Sequence, residues 1–191
     1  MLERANSLGL VVTGLGEKGV HVETAYFDIQ IKREKPIDGG EELWTRIQSR
    51  PAFEVAMLTR QQEPRVILMK KRHFVESSGL MRLPGGYLRG EKETNIPEKI
   101  ETDTGIRLEF SDLIELGHVI GHPEIKTPIE LYYTWDWKQV GAIGPGIQIF
   151  DLPLVEAVKT AMGGFVESDS TFAALMRLYC LWKEGDLVLW R

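Results

Sequence analysis

Apolar and polar residues alternate with a period of two through much of the first half of this chain. Val20, Val22, Thr24 and Tyr26 share one parity, and Phe27, Ile29 and Ile31 share the other. That pattern predicts a strand, with either a bulge at Tyr26-Phe27 or a change there in which face it buries. Pro36 and Asp38-Gly39-Gly40 predict a turn, followed by strands through Leu43, Thr45 and Ile47 and from Phe53 to Leu58. Val66-Ile67-Leu68-Met69 is a short unbroken apolar run, the pattern of a strand covered on both faces. Asn95-x-x-Glu98 has the form of a capping box, which predicts a short helix from Ile96 to Thr104 ended by Gly105. Leu131, Tyr133, Trp135 and Trp137 alternate as a further strand. The last third then takes helical spacing. Leu154, Val155, Val158 and Met162 lead to Gly163-Gly164, and Phe172, Leu175, Met176, Tyr179 and Trp182 follow a cap at Asp169 or Ser170. Strands, a short helix, more strands and closing helices together predict an α/β fold, a mixed sheet with helices packed on it.

Composition narrows the class. The chain has 191 residues, enough for one domain with an extension, and its 43% hydrophobic and 27% charged residues are ordinary globular values. A net charge of −5 argues against a nucleic-acid partner, and the basic run Lys70-Lys71-Arg72-His73 has no second cluster to support it. The single cysteine, Cys180, excludes a disulfide framework and a cysteine-based zinc site, and its place beside a helical apolar stripe predicts a buried small hydrophobe. No run approaches the ~20 apolar residues of a membrane helix, and residues 1–7 lack the apolar core of a secretory signal. The expectation is a cytoplasmic protein with no membrane partner.

The chemistry concentrates between residues 82 and 106. Arg82-Leu83-Pro84-Gly85-Gly86 leads through Arg89-Gly90-Glu91 into the helix that ends at Gly105-Ile106. This stretch resembles the signature of the Nudix hydrolases, in which a glycine loop precedes a helix carrying an Arg-Glu-hydrophobic-x-Glu-Glu-x-Gly-hydrophobic pattern. Carboxylates three and four apart on one helical face hold Mg²⁺ against a diphosphate, and the metals neutralise phosphate charge and activate water. The likeness extends to Val66–Arg72 ahead of the loop, to Ile149–Ala157, and to Glu167–Leu175, all of which resemble the ADP-ribose pyrophosphatase branch. It implies a Nudix-type α/β/α sandwich over residues 52–191, with an N-terminal β extension over 1–51 whose strands pair or swap across a homodimer.

Departures from the signature bear on function. With the helix anchored at Gly105-Ile106, Glu98 falls on the family's arginine, Lys99 on the first metal glutamate, and Thr102-Asp103 on the glutamate pair. Only Asp103 keeps a carboxylate. Four residues separate Gly86 from Glu91, and thirteen separate Glu91 from Gly105, each one fewer than in the family. A lysine ammonium 4 Å from a unit positive charge is repelled by about 4 kcal/mol at an effective dielectric near 20, and a divalent ion doubles this. Glu98 and Glu101 share a face, so a helix turned by one residue would offer a rebuilt metal set of Asp103, Glu101 and Glu98, with Glu91 above them. The alternative is that Glu98 caps the helix, Glu101 is solvated, and Lys99 and Asp103 form an i, i+4 pair.

Two functional readings follow. In one, the chain is a Nudix-fold protein with a degraded metal site that binds a nucleotide-like small molecule with weak or no hydrolysis. Gly85 and Gly86 with Arg82, Lys70 and Arg72 would hold its phosphates, with Lys99, Arg82 and Lys70 replacing the metal charge. In the other, it is an Mg²⁺-dependent pyrophosphohydrolase acting on ADP-ribose or a related nucleoside diphosphate derivative through Asp103, Glu101, Glu98 and Glu91. Tyr132, Trp135 and Trp137 suit either adenine stacking or sheet core. His118-x-x-x-His122-x-Glu124 contains metal-ligating types without a diagnostic spacing, and Glu124 and Glu130 stand where the family has an acidic helper.

Overall fold

The computed structural model describes residues 11–16, 19–23, 27–34, 42–49, 51–71, 80–122, 125–166 and 168–187. The chain divides into two units, 1–51 with 120–128, and 52–119 with 129–191. In the first unit β1 (Val11–Gly16), β2 (Gly19–Glu23), β3 (Phe27–Glu34) and β4 (Glu42–Ser49) form an antiparallel sheet in chain order. β2 ends and β3 begins on either side of the expected parity change, so two strands stand where one was expected, and Tyr26 itself lies outside the described residues. β2 and β3 run antiparallel with Glu23 opposite Asp28, and the reversal resets the alternation. A register irregularity falls instead between Thr13 and Leu15 of β1, a strand the apolar pattern did not predict.

The larger sheet is mixed. It is built from β5 (Ala52–Thr59), β6 (Arg65–Lys71), β7 (Gly85–Tyr87), β9 (Ile114–His122), β10 (Ile125–Thr134) and β12 (Ile147–Pro153). Its order is β12-β6-β5-β10-β9, with β7 also paired to β5. β10 is parallel to β5, whereas β6 and β7 are antiparallel to it, at its two ends. Two short strands, β8 (Ile106–Arg107) and β11 (Lys138–Gln139), pair separately.

Three helices, α1 (Lys92–Thr104), α2 (Leu154–Met162) and α3 (Asp169–Glu184), cover the sheet among the described residues. Strand parity sorts the core into two layers. Phe53, Val55, Met57, Ile67 and Tyr132 pack with Ile96 and Ile100 of α1. Ala56, Leu58, Val66, Leu68, Leu131 and Tyr133 pack with Leu154 and Val158 of α2 and Leu175 and Leu178 of α3. Each buried Val, Leu, Ile, Phe or Met among them contributes about 1.5–3 kcal/mol relative to exposure, so the apolar runs of β5 and β6 fix the sandwich. Tyr132 and Trp135 belong to these layers, which is the core reading of the aromatic alternation. Trp137 donates its indole N–H to the Leu58 carbonyl at 2.8 Å.

The helices differ from expectation in instructive ways. α1 begins four residues early, and its N-cap is Glu91, not Asn95. The Asn95 side chain accepts the Arg89 backbone N–H at 3.2 Å, tying down the preceding loop and not the helix start. Pro97 consequently lies inside the helix, where it removes the intrahelical donor for the Glu93 carbonyl. Gly105 ends the helix as expected, in the left-handed region at φ 70°. α3 is capped by Ser168, whose hydroxyl accepts the Thr171 N–H at 3.2 Å. Its buried face is Ser170, Thr171, Ala174, Leu175 and Leu178, while Phe172 and Cys180 are exposed. Leu175, Met176, Tyr179 and Trp182 of the expected stripe do pack in or against the core, whereas the first turn of α3 buries Ser170 and Thr171 in place of Phe172 and serves a buried carboxylate. No helix among the described residues is long and apolar enough to cross a membrane.

Candidate ligand site

The glycine loop is fixed by backbone hydrogen bonds from two strands. Arg82 exchanges both backbone hydrogen bonds with Met69 of β6, at 2.7 and 2.8 Å, and the Pro84 carbonyl accepts the Val55 N–H at 2.8 Å. Gly85 then pairs with Glu54 on β5. The approach is so close that a Cβ on Gly85 would lie 2.2 Å from the Phe53 carbonyl oxygen. Glycine is required there by contact, not by dihedral angle. A Cβ on Gly86 would instead meet the side chain of Lys99, 3.0 Å from its Cε.

Lys99 is therefore the α1 residue laid against the loop. Its ammonium donates to both carboxylate oxygens of Asp103, at 2.9 and 2.8 Å. A second ammonium, that of Lys71 at the end of β6, lies 3.6 Å from Asp103 Oδ2. Asp103 is buried under this pair, on the same inner stripe of α1 as Ile96 and Ile100. The other candidates on α1 diverge. Glu101 makes a two-point ion pair with Arg107, at 2.8 and 2.9 Å, which holds its carboxyl below the ordinary range. Glu98 and Glu91 are exposed. The structure gathers Asp103, Lys99 and Gly86, and it does not bring Glu98 or Glu101 to them.

This donor set does not fit a divalent cation. The single carboxylate at the position is engaged on both oxygens by an ammonium, and among the described residues no three His, Cys, Asp or Glu side chains converge. The basic candidates also sort by strand parity. Lys71 follows Ile67 onto the α1 face, whereas Lys70 shares the parity of Val66 and Leu68 on the opposite face. Arg72, His73 and Glu124, with the side chain of His122, lie outside the described residues.

Behind the loop lies a polar cluster that the sequence reading missed. The hydroxyls of Ser170 and Thr171 donate to Glu54 Oε1 and Oε2, both at 2.9 Å, and Ser168 Oγ lies 3.1 Å from Oε1. Thr171 Oγ1 also accepts the Leu83 N–H at 3.1 Å, so one side chain joins α3 to both the loop and β5. Burial pushes the Glu54 carboxyl above its ordinary value, against the hydroxyl hydrogen bonds and the positive charge of Arg82. Arg82 is half-buried, donates Nη2 to the Gly85 carbonyl at 3.3 Å, and leaves Nε buried without an acceptor among the described residues. Its position supports the loop from within. The available signal was a lone acid in the apolar strand β5, since a buried charge requires partners. Across the α1 face, Glu130 accepts from Lys92 and from the Tyr132 hydroxyl. Partial burial works against the Glu130 charge, but these two donors prevail and lower its carboxyl.

A parallel-antiparallel sheet between α1 on one face and α2 and α3 on the other, with a Leu-Pro-Gly-Gly loop ahead of α1, is a Nudix-like fold. The crystal structure of an ADP compounds hydrolase superposes over 95% of this chain and 95% of its own, with a TM-score of 0.64 and 13% sequence identity. No protein-family model matches the sequence, and no curated protein matches it. At 13% identity the likeness establishes the fold.

Proposed function

We propose that this chain is a Nudix-fold binding protein for a nucleotide-like ligand, ADP-ribose or a related nucleoside diphosphate derivative, with weak or no hydrolysis. The observation that carries the reading is the Lys99 ammonium, bound to both oxygens of Asp103 and laid against Gly86. A positive charge stands where the family resemblance places the first metal carboxylate, so phosphate charge is met by the protein directly. ADP-ribose titrated into the protein by calorimetry should bind, while chromatography of the same mixture with excess Mg²⁺ or Mn²⁺ shows little AMP. AMP formation at about 1 s⁻¹ or faster, a rate ordinary for enzymes, overturns the non-catalytic reading. It would select the competing one, an Mg²⁺-dependent hydrolase using Asp103, Glu101, Glu98 and Glu91, which draws on a structural neighbour described as a hydrolase. The same family resemblance underlies our proposal of a cytoplasmic homodimer, which sedimentation of the full chain tests.

A further inference from the structure

We propose that Lys71 and Lys99 form a metal-independent diphosphate site, positioned by the buried carboxylate of Asp103. The inference rests on the nucleotide-binding reading and specifies how the phosphates are held. The two ammonium nitrogens lie 3.6 and 2.8 Å from the same oxygen, Asp103 Oδ2. Two cations share one anion, so the cluster carries one excess positive charge. A lone i, i+4 pair would need only Lys99; the second lysine adds repulsion that an additional anion relieves.

Exposure gives the cluster a direction. The Asp103 side chain is 9% exposed, whereas those of Lys71 and Lys99 are 34% and 33% exposed. The carboxylate is thus the buried member of the cluster, and both lysine side chains reach the surface. The Lys99 side chain passes close to Gly86 and its ammonium is held by Asp103, while Lys71 comes from the end of β6. Each ammonium has three donors, and Asp103 takes two of those on Lys99, leaving N–H groups on both lysines for phosphate oxygens. A diphosphate, with adjacent phosphates and several negative charges, matches two neighbouring ammonium groups. Free Mg²⁺ complexes a diphosphate and cancels part of that charge. It therefore weakens binding here, the opposite of its effect where metals bridge protein and phosphate.

The test is calorimetric titration of inorganic pyrophosphate into the full chain at low salt, in EDTA and then in Mg²⁺. Wild-type protein should bind in EDTA and bind more weakly in Mg²⁺. Lys71→Met and Lys99→Met, which keep the aliphatic stem, should each weaken binding about tenfold or more, the loss of a charged hydrogen bond. Lys159→Met, which removes the exposed partner of Glu156, should bind like wild type. The wild-type comparison of EDTA with Mg²⁺ stands even if a variant fails to fold. No pyrophosphate binding in EDTA, stronger binding in Mg²⁺, or unchanged affinity in both Lys71→Met and Lys99→Met overturns the inference. If ADP-ribose still binds in that case, the nucleotide reading survives without it; if neither ligand binds, both fall.

Discussion

Adjacent glycines in the Leu83-Pro84-Gly85-Gly86 loop should respond to the same substitution in opposite ways. In Gly85→Ala the new methyl lies 2.2 Å from the Phe53 carbonyl oxygen and 3.0 Å from Glu54 Cα, both backbone atoms of β5. Relief requires the loop to move off β5, breaking the pairing of Gly85 with Glu54 and the anchorage behind it. Overpacking against fixed atoms of this kind costs about 3 kcal/mol, which for a chain this size lowers Tm by roughly 6–12 °C. In Gly86→Ala the nearest atom is Lys99 Cε at 3.0 Å, on a long side chain that can shift. Stability should change by less than about 0.5 kcal/mol, partly because alanine reduces the freedom of the unfolded chain. The displaced lysine, however, loses its place between Gly86 and Asp103, and pyrophosphate binding should weaken severalfold. Differential scanning calorimetry and isothermal titration read the two effects separately. Equal Tm losses in both variants, or unchanged pyrophosphate affinity in Gly86→Ala, would refute the assignment of one glycine to the scaffold and the other to the ligand.

Lys99→Glu combined with Thr102→Glu returns two carboxylates to the positions the family resemblance assigns to metal ligands, and Mn²⁺ affinity should rise at least about tenfold as repulsion becomes attraction; a calorimetric titration with no gain means that the helix register is wrong. Glu54 has a carboxyl raised above 4.5 in the folded protein, so it binds more protons folded than unfolded, and its contribution makes stability fall as pH rises from about 4.5 through the folded value. Glu54→Gln removes that component, and the Tm difference between wild type and variant should drift accordingly from acid to neutral pH; parallel curves contradict it. Thr171→Val leaves the Leu83 N–H without its acceptor and Glu54 without one of its hydroxyl donors, costing about 1–3 kcal/mol in denaturant unfolding, whereas Thr171→Ser keeps most of it.

The sheet was legible where burial was two-sided or alternation was clean. β5, β6 and α2 stand where their apolar runs placed them, because packing alone decides those positions. Local polar chemistry was less readable. Asn95 has the composition of a cap but spends its side chain on Arg89, and α3 is capped by Ser168 and not by Asp169 or Ser170. The buried face of α3 could not be read from hydrophobicity, since Ser170 and Thr171 are buried to reach Glu54, a partner more than a hundred residues away in the chain. In the candidate site, the i, i+4 pairing of Lys99 with Asp103 was legible from spacing. The choice between Lys70 and Lys71 depends on strand parity, which a run of consecutive basic residues hides.

The most direct test of the central claim is a crystal structure of the protein with ADP-ribose in the presence of excess Mg²⁺. The account predicts diphosphate density against the ammonium groups of Lys71 and Lys99, with Asp103 still bound to Lys99. Magnesium ions coordinated by Asp103 and bridged by the diphosphate, with Lys99 displaced from the carboxylate, would contradict it.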